Sequence, residues 1–170
     1  GASNYILQGE RNHAYHELPT TSSRKQWYAL PMQKPSHILL RQFYDKVFDF
    51  PMNPSRFFTD HTFYYISLRD NLFEFSISVD ERARRLAAFL NSTVGWLLIE
   101  SVGRKNMGDG VLTCYGPEFN RMKIPPLGEL ASVVDPFMTL TQRPVESVFD
   151  ELGVDENDPE TFSLARANVR

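Results

Sequence analysis

The sequence predicts an α+β domain, with a mostly antiparallel sheet drawn from the N-terminal half, helices packed on it, and a helical C-terminal appendage. Three observations lead there. Short runs of β-branched and aromatic residues, punctuated by prolines, occupy residues 26 to 78. An amphipathic helical stripe begins near Asp80, and the balance of charge reverses near Pro126.

Residues 1 to 23 are polar and turn-rich, ending in Pro19-Thr20-Thr21-Ser22-Ser23, and read as a linker. Four strand candidates follow: Trp27–Leu30, His37–Leu40, Lys46–Phe50 and Phe63–Leu68. Pro31, Pro35, Pro51 and Pro54 separate them, and because proline has no N–H to give a ladder it belongs at strand ends and turns. Val79, Ala83, Leu86, Ala87 and Leu90 recur at helical spacing, with Asp80 as N-cap and Arg82, Arg84 and Arg85 on a solvated face. Asn91-Ser92 closes this helix and caps a second, more buried one through Trp96–Val102, which Gly103 ends as a left-handed cap. A glycine-bearing loop to Gly110, a strand at Val111–Tyr115 and a proline-closed segment, Phe119–Pro126, complete a domain predicted over residues 24 to 126. In residues 127 to 170, Arg143–Leu152 places Val145, Val148, Phe149 and Leu152 on one helical face, with Gly153 beyond it. Asp158-Pro159 begins one more predicted helix.

At 170 residues and 42% hydrophobic, the chain can bury an ordinary core. The longest apolar run, Val94–Ile99, is far short of the roughly 20 residues of a membrane span. No secretory signal pattern is read at the N-terminus. A single cysteine, Cys114, excludes a disulfide framework, fits a reducing cytoplasm and reads as a small buried strand residue. The net charge of −3 hides an asymmetry: residues 1 to 126 hold 15 Lys+Arg against 12 Asp+Glu, and residues 127 to 170 hold 3 against 9. The basic part can meet phosphate while the acidic part faces solvent or protein.

Catalytic patterns fail on inspection. Asn53-Pro54-Ser55-Arg56 lacks the second proline and the aromatic of an amino-methylating loop, so it reads as a turn. Gly108-Asp109-Gly110 follows a helix and precedes a strand, the reverse of the order a nucleotide- or S-adenosylmethionine-binding glycine loop needs. His13 and His16, with Glu17, have ligand-like spacing in a segment that Pro19 and its polarity keep from being a stable helix. No nucleophile elbow surrounds a serine, and Cys114 lacks the setting of a catalytic thiol. No catalytic, metal or cofactor site is expected in this chain.

A binding surface remains. Arg24 and Lys25 precede the first strand candidate and Arg56 lies in a turn. Arg104, Lys105 and Asn106 follow a helix end, in the loop that holds Gly108 and Gly110. Arginine or lysine can bond guanine O6 and N7, and asparagine can pair with adenine N6 and N7. Glycines let backbone approach phosphate. Each of these cations also has a plain role as a solvated charge, Arg104 and Lys105 being well placed at a helix C-terminus.

Four pieces follow one another along the chain: Leu90-Asn91-Ser92-Thr93, Glu100-Ser101-Val102-Gly103-Arg104, Met107-Gly108-Asp109-Gly110-Val111-Leu112 and Phe119–Pro126. Together with Arg24-Lys25-Gln26-Trp27-Tyr28 and Phe63–Ile66, they resemble the C-terminal target-recognition region of TaqI-like adenine-specific DNA methyltransferases and fused restriction-modification enzymes. The likeness spans residues 20 to 126. It implies a target-recognition domain that reads duplex DNA, while a separate catalytic domain, absent from this chain, binds S-adenosylmethionine and methylates a flipped adenine.

Two functional readings follow. In the first, the chain selects a DNA sequence for its catalytic domain. In the second it is a specificity or adaptor subunit acting mainly through protein contacts, with Val145, Val148, Phe149 and Leu152 as an exposed docking face, so that burial of Phe149 discriminates. An independent enzyme would require convergent polar side chains in a deep pocket.

Overall fold

The computed structural model describes residues 1–29, 32–69, 76–158 and 160. They belong to two compact units, residues 1–34 and 35–170.

In the first unit, Ala2–Asn12 forms a helix, α1, and Tyr15–Glu17 a 3-10 turn. What holds this polar stretch together is a ring cluster. Trp27 lies 5.3 Å from Tyr15, edge-on, and 5.9 Å from Tyr5, with His13 stacked on Tyr15. Gly9 makes room for the indole: a Cβ there would sit 2.7 Å from Trp27 Cζ2. Trp27 and Tyr28 occupy a turn in which Ala29 N–H donates to the Gln26 carbonyl at 3.0 Å, so the strand predicted at Trp27–Leu30 does not form. Its aromatic residues serve the local cluster instead, and Leu30 lies outside the described residues.

The second unit is α+β, as predicted, and among the described residues its sheet is reduced to two small antiparallel ladders. Strand β1, Ile38–Arg41, pairs with β3, Phe63–Ile66, setting Ile38 opposite Ile66 and Arg41 opposite Phe63. Strand β2, Phe43–Tyr44, pairs with β4, Leu112–Thr113. The predicted strand at Lys46–Phe50 is irregular. Pro51 cannot donate, so only its carbonyl joins the edge of β1, accepting from Leu39 N–H at 2.9 Å. The Phe50 backbone is held by a side chain: its N–H donates to Asn91 Oδ1 at 3.0 Å and its carbonyl accepts from Asn91 Nδ2 at 3.2 Å.

Helix α2, Val79–Leu90, buries Ala83, Leu86, Ala87 and Leu90 of the predicted stripe, while Val79, in its first turn, is exposed. Full burial of Leu86 and of Leu90 stabilises by about 2 kcal/mol each. Its cap is Ser78 rather than Asp80, because Ser78 Oγ accepts from Glu81 N–H at 3.2 Å. The predicted solvated arginine face is also corrected. Arg82 is buried, and Arg85 bonds Glu81 Oε1 at 2.9 Å and reaches the carbonyls of Leu127 and Gly128. Arg84 keeps a half-exposed side chain.

Ser92 caps α3, Thr93–Val102, accepting from Gly95 N–H at 3.3 Å. The helix is less buried than α2, not more, since Val94 and Leu97 are 52% and 60% exposed. Gly103 is extended (φ −70°, ψ 172°) rather than left-handed. Its missing side chain admits Leu112, whose Cδ1 would be 2.8 Å from a Cβ. After β4 come a short helix α4, Gly116–Phe119, a 3-10 turn, Leu127–Val133, and α5, Val134–Leu140. Leu127 and Phe137 join the same buried cluster as Leu40, Phe50, Leu90 and Ile99.

Helix α6 is shorter than the periodicity predicts. It spans Val148–Leu152, capped by Ser147 and closed by Gly153 at φ 68°. Val148 N–H donates to the Lys46 carbonyl at 2.7 Å, Lys46 Nζ meets Glu156 Oε2 at 2.7 Å, and Val154 is buried. Phe149 is half-buried. This segment lies along its own unit rather than standing off as a free apolar face. The helix predicted from Asp158-Pro159 falls outside the described residues, apart from Asp158 and Glu160. Among the described residues, no helix is long and apolar enough to cross a membrane.

Candidate nucleic-acid interface

The predicted contact residues divide between the two units. Arg24 and Lys25, both exposed, line a hollow of about 410 Å³ with Glu10, His16, Gln26, Trp27 and Tyr28. Arg24 N–H donates to the Thr21 carbonyl at 2.9 Å, fixing the bend that presents both cations. Arg56, Arg104, Lys105, Asn106, Gly108 and Gly110 all belong to the second unit.

Arg56 follows the turn at Asn53-Pro54-Ser55, as that segment's composition predicts, with a left-handed φ of 54°. The turn is built by Asn53, which is only 4% exposed. Its Oδ1 accepts from Phe57 N–H and its Nδ2 donates to the Phe57 carbonyl, both at 2.9 Å. Buried, and with both polar atoms turned onto the Phe57 backbone, Asn53 is not presented to a base amino group. The Arg56 guanidinium contacts His37 Nε2, which also lies 2.9 Å from Asp80 Oδ1. One ring nitrogen either accepts from the guanidinium or donates to the carboxylate. Burial first, and the Arg56 charge second, outweigh Asp80 and hold the His37 pKa below its ordinary value. A neutral ring accepting from Arg56 is the state this favours near pH 7.

At the glycine loop, α3 passes into β4 through a tight exchange. Arg104 N–H donates to the Thr113 carbonyl and Thr113 N–H to the Arg104 carbonyl, each at 2.8 Å. Arg104 Nη2 pairs with Glu118 Oε1, on a carboxylate almost wholly buried at the start of α4. Burial works to raise the Glu118 pKa. Hydrogen bonds from backbone and from Arg104, with the Arg104 charge, outweigh it and hold the carboxyl below its usual range. Asn106 Oδ1 accepts from Thr113 Oγ1 at 2.9 Å. Arg104 and Asn106 thus have structural partners, although the Arg104 side chain stays 58% exposed.

The loop tip is open. Gly108, Asp109 and Gly110 have φ of 68°, 47° and 79°, and nothing lies within 4 Å of a Cβ built on either glycine. Three successive left-handed residues explain the glycines. Lys105 borders a hollow of about 240 Å³ shared with Lys46 and with Asp45, Glu100, Asp109 and Glu156. Four carboxylates to two lysines make that hollow a poor phosphate site, so Lys105 meets an anion only by reaching away from it.

Other sequence candidates resolve simply. His16 faces Glu17 at 3.6 Å, and among the described residues no group of three His, Cys, Asp or Glu side chains could hold a metal ion. Cys114 is fully buried beside β4, where burial pushes its thiol pKa up to about 12. Two residues escaped the sequence reading: Phe57 and Phe58, 71% and 72% exposed beside Arg56. The signal available was a pair of phenylalanines directly after a turn.

The motif order now has a structural meaning. Leu90 is core, Asn91 clamps Phe50, Ser92 caps α3, and a Cβ on Gly95 would lie 2.3 Å from the Leu90 carbonyl oxygen. Gly103 and Arg104 couple α3 to β4 and α4. A family model for the C-terminal domain of the type II methyltransferase M.Eco57I matches residues 1–151. The chain belongs to that family. No match is found among curated proteins or among solved structures. As an M.Eco57I-type C-terminal domain, the chain is a methyltransferase-associated domain of the restriction-modification kind. The family match takes in both units, reaching well beyond the stretch of residues 20 to 126 that carries the TaqI-like motifs.

Proposed function

We propose that this chain is the target-recognition domain of an adenine-specific DNA methyltransferase or restriction-modification enzyme, reading duplex DNA for a separate catalytic domain. The observation that carries this reading is the M.Eco57I-type C-terminal-domain match over residues 1–151. S-adenosylmethionine and the methylating residues belong, on this account, to the catalytic domain. Arg24 and Lys25 in the first unit contact phosphate, as do Arg56, Lys105 and the Gly108–Gly110 backbone in the second. Arg104 and Asn106 chiefly set the shape of the loop that carries Lys105, and the open edge of the Arg104 guanidinium remains available to a base.

The adaptor reading draws less support, because α6 and Val154 lie along their own unit with Phe149 half-buried. Selection of duplexes from a randomised pool tests the proposal. Enrichment of one short sequence is expected. A folded chain that enriches nothing, yet binds a separately expressed catalytic domain, would instead be an adaptor.

A further inference from the structure

Phe57 and Phe58 are consecutive in the loop between β2 and β3, and each residue is more than two thirds exposed. Hydrogen bonds hold the backbone on both sides of them. Asn53 grips the Phe57 backbone at both its N–H and its carbonyl, and the Tyr65 hydroxyl, on β3, accepts from Thr59 N–H at 2.7 Å. Arg56, just before them, takes the left-handed conformation that turns the chain. Asp60, just after them, is engaged by Thr62 through its N–H at 3.0 Å and its hydroxyl at 2.5 Å. The loop's ordering entropy is therefore already spent on folding, which is the condition for two exposed rings to bind without further cost in backbone freedom.

We propose that Phe57 and Phe58 form a wedge that enters a base step of duplex DNA, with the Arg56 guanidinium beside the backbone. This rests on the recognition function proposed above. Apolar side chains inserted between base pairs unstack and kink the duplex. An enzyme that modifies a base must take that base out of the stack. A protein partner would call for a broad apolar face, whereas these rings lie on a short loop between Pro54-Ser55-Arg56 and Thr59-Asp60-His61. Narrowness and a flanking cation suit a base step.

The test scans 2-aminopurine through a duplex selected from a randomised pool and compares the chain with Phe57→Ala/Phe58→Ala. Both rings are exposed, so the variant should melt with the parent, which circular dichroism checks. The parent is expected to raise 2-aminopurine fluorescence at one step. The variant should lose that rise and bind about tenfold more weakly, the lower range for ring–base stacking, with an unchanged salt slope. Phe57→Leu/Phe58→Leu should recover part of both. A variant that binds and unstacks like the parent overturns the wedge and leaves DNA recognition standing, as does a parent that binds without any fluorescence rise. A variant defective only in binding a catalytic domain marks a protein contact and overturns the wedge too. A parent with no duplex affinity at low salt removes the recognition function and the wedge with it.

Discussion

Replacing Asn91 by alanine tests whether the family motif works through structure. Asn91 Oδ1 accepts from Phe50 N–H at 3.0 Å, and Nδ2 donates to the carbonyls of Phe50 at 3.2 Å and Ala87 at 2.8 Å. Ala87 keeps a partner after the substitution, because Asn91 N–H also donates to it at 3.0 Å. The Phe50 N–H and carbonyl lose theirs, on a residue only 1% exposed. A buried group left unsatisfied costs about 1–3 kcal/mol. A hollow of about 330 Å³ lined by Phe50 and Asn91 gives water some access, which places each loss at the low end. The sum is about 2–3 kcal/mol, or a fall in Tm of about 5–10 °C for a chain of this size. Asn91→Asp retains the acceptor for Phe50 N–H but turns a charged oxygen on the carbonyls of Phe50 and Ala87, so at neutral pH it should lose at least as much. Urea unfolding followed by circular dichroism measures both. A change below about 0.5 kcal/mol in Asn91→Ala would refute the clamp, and with it the structural explanation of the motif.

Gly95→Ala should cost about 3 kcal/mol or more, because the new Cβ meets backbone, the Leu90 carbonyl oxygen, at 2.3 Å; thermal melting reads the loss. His37 carries a pKa lowered on folding, so the stability it contributes is complete above the unfolded value near 6.5 and is lost as pH falls below it. His37→Gln should flatten the pH dependence of Tm in that window. In Arg56→Gln, NMR titration should find the His37 pKa higher than in the parent. Arg104→Gln strips the buried Glu118 of its cation and should lower Tm, whereas Lys105→Ala should leave Tm unchanged and weaken duplex binding.

Much of the helical framework was legible because local sequence dictates it. The Ala83, Leu86, Ala87 and Leu90 stripe, the Ser92 cap and the Gly153 terminus need only helical periodicity and capping chemistry. Beta structure was legible where both partners are aliphatic or aromatic runs, as in Ile38–Arg41 against Phe63–Ile66. It failed at Lys46–Phe50, where a side chain from 41 residues away takes the place of a strand neighbour. Helix α1 was hidden by its own Gly9, a poor helix residue retained because Trp27 packs on it. Arg82 and Arg85 read as solvated because their burial depends on tertiary packing, which for Arg85 includes the turn at Leu127.

Sequence gives the residue types of the candidate site and not their availability. Nothing local to Arg104 announces a buried Glu118, and nothing around Lys105 shows the carboxylates that gather beside it. Phe57 and Phe58 were passed over because phenylalanine is taken for core until its exposure is known.

Duplex binding as a function of salt tests the central claim most directly. With Arg24, Lys25, Arg56 and Lys105 each neutralising a phosphate, log K should fall with log salt at a slope of about −3 to −4. Between 50 and 200 mM salt that is roughly a hundredfold loss of affinity for a selected duplex, with a scrambled duplex weaker throughout. A well-folded chain with no measurable duplex affinity at the lowest salt, or with a slope near zero, would contradict DNA reading by this domain.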